Sequence, residues 1–152
     1  MVKKRSTTDL LPYLTNEISF NNVDTNYTLK DKKHLKGWIS SAIKKEKKNT
    51  GSISFNFCSD EYLLTVNKEH LNHDYYTDII TFDFCENNII SGDIYISIDR
   101  VKDNAREMGK TMQNELHRVI IHGVLHLCGY KDKKPADAKQ MRAKEDYYLS
   151  LL

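Results

Sequence analysis

His122 and His126 are four residues apart, and Gly129 and Asp132 follow them closely. In a helix that spacing puts both imidazoles on one face, one turn apart, where they can grip a single ion. Gly129 is expected to end the helix, because glycine takes a left-handed conformation without a Cβ penalty. The turn then brings Tyr130, Lys131 and Asp132 back past the helix end, and Asp132 is placed to be a third ligand from the opposite side. Three protein ligands with an open fourth position is the arrangement of a catalytic zinc, whose bound water becomes acidic near neutral pH. The expectation is one Zn2+ per chain, held by His122, His126 and Asp132, with no catalytic group assigned beyond the metal-bound water. The competing reading makes His122 a satisfied core histidine, Gly129 an ordinary helix stop and Asp132 a solvated turn residue.

Other metal chemistries are weighed against this one. The metalloprotease pattern H-E-x-x-H places a general-base Glu directly after the first His, and here that residue is Gly123. A metallopeptidase-like hydrolase would share the helix but lack its base. A structural zinc, as in a non-catalytic assembly factor with a bound metal, would need four protein ligands. Cys128 is near in sequence but falls on the far side of the helix end. Two histidines and a carboxylate also make an iron(II) facial triad, although the compact spacing fits a zincin-like helix better.

The elements that must position these residues follow from hydrophobic periodicity. Ile18 to Leu29 reads as an extended segment. Leu35, Trp38, Ile39, Ala42 and Ile43 fall at helical spacing between Lys30 and Lys47. Ile53, Phe55 and Phe57 alternate with polar residues, as in a half-buried strand. Ser59 can cap a short helix carrying Leu63 and Val66. Asp78 to Phe84 and Ile89 to Ile98 read as two strands joined by a turn at Glu86-Asn87-Asn88. Asp99 is expected to cap a helix that stops at Gly109. Asn114 to Leu127 is a strong helix with Leu116, Val119 and Ile120 inward, and Pro135 opens a last helix. The fold class expected is α+β, a mixed four-stranded sheet packed with about five helices. Residues 1–15 read as a variable head and 16–152 as one metallohydrolase domain.

Composition adds bounds. A chain of 152 residues with 39% hydrophobic and 29% charged residues suits one globular domain. A net charge of +2 allows nucleic acid as a partner without demanding it. Cys58, Cys85 and Cys128 form no C-x-x-C pair and read as reduced, buried thiols, which suits the cytoplasm. No apolar run approaches a membrane span, and the apolar stretch after Lys3, Lys4 and Arg5, at Leu10 and Leu11, is too short for a signal peptide, so neither is expected.

The run from His122 to Tyr130, H-G-V-L-H-L-C-G-Y, resembles the signature of the YbeY family, bacterial rRNA-maturation endoribonucleases. Upstream, Thr77-Asp78-Ile79-Ile80-Thr81-Phe82 is similar to that family's T-D-V-L-S-F strand, and Gly92-Asp93-Ile94 to its G-D-I strand. Leu71-Asn72 precedes the first, and Met141 and Glu145 sit in a last helix of fitting length. The resemblance runs from about Ile53 to the C-terminus. It implies an α+β fold and a zinc-dependent, single-strand-specific endoribonuclease. The implied roles are 16S rRNA 3′-end maturation and ribosome quality control, with rRNA, other single-stranded RNA and the small ribosomal subunit as partners and no nucleotide cofactor.

Two departures accompany the resemblance. The family's usual third ligand is the His of G-Y-D-H, and here Lys131 stands at the Asp position and Asp132 at the His position. An anionic ligand should leave the ion a weaker Lewis acid. The family's Arg in the loop before Thr77 is also missing. Lys131 and Lys133 flank Asp132 and are candidates for phosphate contact, with solvated turn lysines as the alternative. Tyr76, with Tyr75, is a candidate for stacking on unpaired bases, with a packed loop as the alternative.

Overall fold

The computed structural model describes residues 2–4 and 17–152. The rest of the expected head, residues 1 and 5–15, lies outside the described residues, as does residue 16. The elements run β1 (Val2–Lys4), β2 (Ile18–Asn22), α1 (Lys32–Lys45), β3 (Asn49–Cys58), α2 (Asp60–Leu71), β4 (Ile79–Asp83), β5 (Ile89–Ser97), α3 (Ile98–Glu107), α4 (Met112–Leu127) and α5 (Pro135–Ser150). The four strands and five helices expected from the sequence are present. A short further strand, β1, joins at one edge.

The sheet order is β1-β4-β5-β3-β2. β2, β3 and β5 run parallel, β4 is antiparallel to β5, and β1 is parallel to β4. The β4–β5 connection is a tight hairpin. Asn87 and Asn88 both have positive φ, and Glu86 and Ile89 exchange backbone hydrogen bonds across them. Asparagine tolerates that left-handed pair, the requirement of a type I′ turn.

Helices cover both faces of the sheet. Ile53, Phe55, Ile79, Ile94 and Ile96 join α1, α4 and α5 in the main core. Ile80, Phe82 and Phe84 point the other way, against Leu63 and Val66 of α2. β4 is therefore apolar on both sides, and its Ile79–Phe82 run is buried throughout. Each fully buried Ile, Leu or Phe contributes about 1.5–3 kcal/mol.

Two local features set where α4 lies. Gly123 is buried where α4 crosses β4 and β5; a Cβ there would stand 2.9 Å from Ile79 Cδ1 and 3.1 Å from Ile94 Cδ1. The missing side chain is what lets the helix pack this closely. Thr111 caps α4 by accepting a hydrogen bond from the Asn114 N–H. Ser59 caps α2 in the same way, as expected. Asp99 departs from expectation. Ser97 caps α3 instead, and the Asp99 carboxylate accepts from the Asp60 N–H at the start of α2. A capping residue precedes its helix, and Asp99 already lies inside α3.

Candidate metal centre

α4 presents His122 and His126 one turn apart, and the chain leaves the helix at Gly129 with φ +109°. The Tyr130 N–H returns to the Leu125 carbonyl at 3.0 Å, a helix-ending bond that needs the left-handed residue before it. This turn carries Asp132 back over the helix end. His126 Nε2 lies 3.1 Å from His122 Nε2, and Asp132 Oδ2 lies 3.2 Å from each of them. For metal–nitrogen distances of about 2.0 Å, one edge of a tetrahedral donor set measures about 3.3 Å. The observed triangle has that size.

The other face of each imidazole is fixed. His122 Nδ1 is 2.7 Å from Glu145 Oε2 of α5, and His126 Nδ1 is 2.9 Å from the Tyr130 carbonyl. Both partners are acceptors, so each ring carries its proton on Nδ1 and turns a bare Nε2 lone pair inward. Two lone pairs and a carboxylate oxygen converge with no donor between them. This arrangement suits a cation, and the residues fit a zinc-type ion.

Burial and charge set the protonation of the group. His126 is held below its ordinary pKa, first by burial and then by the neighbouring His122, against the pull of Asp132. Burial alone would raise Asp132, but the two histidines hold it below the usual range. The same contest keeps Glu145 low: burial opposes, and the hydrogen bonds with His122 and Arg118 prevail. His126 is thereby biased toward its neutral form, and Asp132 and Glu145 toward their ionised forms.

Asp132 separates two clefts. One, of about 390 Å³, is lined by Asp78, Glu115, Arg118, His122, Arg142 and Glu145 with Asp132. The other, of about 620 Å³, is lined by His73, Tyr75, His126, Lys131, Lys133 and Lys134 with Asp132. Lys131 and Lys133 thus stand beside the candidate centre. Tyr76 does not join them: its hydroxyl donates to Glu61 at 2.7 Å, and Arg100 lies over its ring at 5.4 Å. Tyr75, the neighbouring tyrosine, lines the lysine cleft in its place. Cys128 is not part of the candidate ligand group, and burial, with the Glu46 charge adding to it, pushes its thiol up to about 12.

Several contributors were missed in the sequence. Glu145 was noted only as part of the last helix. Arg118, which joins Glu145 at 2.9 Å and Asp146 at 2.7 Å, was not singled out. Neither was Glu46 at the end of α1, which accepts hydrogen bonds from Tyr130 at 2.6 Å and from Tyr148. Glu115 did carry a signal, an acidic residue about two turns before His122 on the same helix face.

The arrangement defines a class: an α+β protein with a His-His-Asp candidate metal centre on a zincin-like helix. Residues 7–152 match the family described as Endoribonuclease YbeY. Relatives of that name are 53% identical over 135 residues in Cytophaga hutchinsonii, covering 88% of this chain and 94% of the relative. The Flavobacterium johnsoniae protein is 48% identical over 86% of this chain and 94% of its own length. A solution structure of a Thermotoga maritima protein aligns with TM-score 0.61 and 30% identity, covering 88% of this chain and 87% of that one. The chain belongs to the YbeY family of endoribonucleases.

Proposed function

We propose that this protein is a zinc-dependent endoribonuclease that cuts single-stranded RNA, with the 3′ end of 16S rRNA in the cytoplasmic small subunit as its target. The observation that carries the reading is the triangle of His122 Nε2, His126 Nε2 and Asp132 Oδ2, with both Nδ1 atoms already engaged. When bound there, the ion supplies Lewis acidity toward a phosphate oxygen and toward water.

The remaining contributions come from the chain itself. Glu145 and the Tyr130 carbonyl hold the two imidazoles in one tautomer and one orientation. Lys131 and Lys133 place positive charge at the cleft mouth, where an RNA backbone needs it. The stacked His73–Tyr75 pair, with ring centroids 5.2 Å apart, offers a flat face beside them for an unpaired base. The YbeY fold and name of the relatives support RNA as the substrate.

The test has two arms. Purified protein is analysed for metal by mass spectrometry and then assayed on single-stranded and duplex RNA. In cells, the protein is depleted and 16S rRNA 3′ ends are mapped. One zinc per chain, cleavage confined to single strands, and unprocessed 3′ ends are expected. Normal 3′ ends after depletion would refute the rRNA role, and metal-free active protein would refute the zinc role. No observation favours a peptidase, because Gly123 is packed against the sheet where a base would have to stand.

A further inference from the structure

Glu115 stands on the face of α4 that carries the candidate ligands, with Arg118 and Val119 between it and His122. Seven residues are about two turns of helix, so Glu115 and His122 fall on one face of α4. Glu115 is only 4% exposed, yet it lines the cleft that also contains His122, Asp132 and Arg142. Its Oε1 is buried without a hydrogen-bond partner. Arg118, the cation nearest in sequence, is committed to Glu145 and Asp146. A buried carboxyl with an unpaired oxygen weakens a fold, and such groups concentrate where proton transfer is needed. The zincin pattern carries its carboxylate directly after the first histidine; here that position is Gly123, and the cleft's buried carboxylate on α4 is Glu115 instead.

We propose that Glu115 is the general acid of the reaction, donating its proton to the ribose oxygen that leaves when the RNA phosphodiester is cut. This inference rests on the endoribonuclease reading above. A water oxygen bonds to phosphorus while the phosphorus–oxygen bond to the leaving ribose breaks. The electron pair of the broken bond stays on the ribose oxygen, which takes the Glu115 proton. The attacking water gives up one proton to solvent, and an equivalent proton from solvent restores the Glu115 carboxyl. The surroundings shift that carboxyl toward its protonated form. Burial raises its pKa most and Asp78 in the same cleft adds to this, against the opposing pull of Arg118, Lys110 and Arg142. His122, Asp132 and Glu145 complete the titratable and charged groups of the cleft.

The test compares the parent with Glu115→Gln and Glu115→Asp, all as metal-loaded full chains. Each is assayed on a single-stranded oligoribonucleotide and on the same strand with sulfur replacing the leaving oxygen. A thiolate leaves without a proton. Glu115→Gln should cut the natural strand about 10²- to 10⁴-fold more slowly, cut the sulfur-substituted strand within a few-fold of the parent, and bind metal in the same ratio. Glu115→Asp should recover part of the lost rate. Equal losses on both strands, an unchanged rate on the natural strand, or lost metal would each overturn the proposal. Carbon-13 NMR of the parent's Glu115 carboxyl gives a readout independent of turnover, and titration in the ordinary carboxylate range would also overturn it. A parent that cannot cut RNA at all would sink the endoribonuclease reading and this inference together. A parent that cuts RNA beside an equally active Glu115→Gln would sink the inference alone.

Discussion

Glu145 of α5 holds His122 of α4 through a 2.7 Å contact between Oε2 and Nδ1, and its other oxygen accepts from Arg118 at 2.9 Å. The two helices are thereby joined at the residue that aims one ligand. The pair is nearly closed to solvent, with the Glu145 side chain 6% exposed and Arg118 12%. An ion pair this buried gives little net stability while intact, because desolvation offsets its attraction, but breaking it leaves one charge stranded. Glu145→Gln keeps the volume and removes the charge that orients His122. It should weaken zinc binding about 10- to 100-fold, the usual effect of losing a ligand's supporting partner. Chelator competition measures this, and an affinity equal to the parent's would show that Glu145 does not orient the ligand. Glu145→Ala should additionally lower stability, by less than the roughly 3–5 kcal/mol of a fully stranded charge, because Arg118 keeps Asp146 at 2.7 Å.

Legibility in the sequence followed the range of the interactions. His122, His126 and Asp132 were readable because one helix turn and one glycine turn set their spacing. The alternation of Ile53, Phe55 and Phe57, the cap at Ser59 and the helix-opening Pro135 are equally local. Glu145 is 23 residues from His122, and Glu46 is 84 from Tyr130, so no spacing rule joins them. Asp99 misled for the opposite reason. Its residue type suits a cap, but the helix already starts at Ile98, so Ser97 takes the capping position and the Asp99 carboxylate is free to accept from α2. β1 was missed because its three residues are too few to show alternation. Tyr76 and Tyr75 are indistinguishable by type, and only the loop's path sends one toward Glu61 and the other to the lysine cleft.

Asp132 sets how acidic the candidate centre can be. An anionic third ligand donates more charge to an ion than a neutral imidazole does, so water at the open position should lose its proton less readily. Asp132→His makes all three donors neutral, as in the family's usual G-Y-D-H pattern. The acidic limb of the pH–rate profile should then move to lower pH with the substrate unchanged. A profile that does not move would mean either that Asp132 is not a ligand or that the acidic limb belongs to another group. Metal content separates these, since Asp132→Ala should lose zinc on dialysis only if Asp132 is a ligand. His126→Ala should lose stoichiometric zinc outright.

Gly123 limits what the helix can become. A Cβ at this position meets two isoleucine methyls at 2.9 and 3.1 Å, so Gly123→Ala requires Ile79 and Ile94 to shift. It should cost about 1–3 kcal/mol, the usual range for overpacking, against a helix-propensity gain of about 1 kcal/mol. Gly123→Glu would drive a carboxylate between α4 and the sheet, and should give insoluble or unfolded protein. Urea denaturation of the alanine variant and expression of the glutamate variant are the measurements. A folded, soluble Gly123→Glu protein would show that α4 has more room than the structure gives it.

Stability of the metal-free protein should fall as pH drops from neutrality, in two stages. His117 and His126 both lie below their ordinary value of 6.5, chiefly through burial. Their folded forms bind protons less readily than the unfolded chain does, so acidification below about 6.5 favours unfolding. Glu145 and Asp132 lie below their ordinary values of 4.5 and 3.8. Their contribution is present above those values and is lost as pH falls through the lower folded values. Glu115 runs the other way, since its raised value favours the folded state on protonation. Thermal melts from pH 8 down to about 2.5 cover both stages, and a metal-free midpoint that stays flat from 7 to 5 would contradict the histidine assignments. His117→Phe should flatten the upper stage, because His117 lies outside the candidate centre, packed 6.2 Å from Trp38.

Glu46 should matter to metal binding although it touches no ligand. It terminates α1, and it receives the hydroxyls of Tyr130 and Tyr148 and the Lys144 ammonium at 3.2 Å. Tyr148 is tied further to α1 by Trp38, whose Nε1 donates to the Tyr148 carbonyl at 2.8 Å. Tyr130 is the residue whose carbonyl fixes His126. The Glu46 cluster therefore anchors the turn that orients one ligand. Tyr130→Phe removes a single hydroxyl from this cluster and leaves the carbonyl in place. It should cost about 1 kcal/mol of stability and weaken zinc binding less than Glu145→Gln does, because the backbone acceptor survives. Glu46→Ala removes the acceptor common to Tyr130, Tyr148 and Lys144, and should exceed Tyr130→Phe in both effects. Parallel zinc titrations and melts of the variants rank them. A Glu46→Ala protein that loses stability but binds zinc as tightly as the parent would confine Glu46 to the packing of α1 against α5.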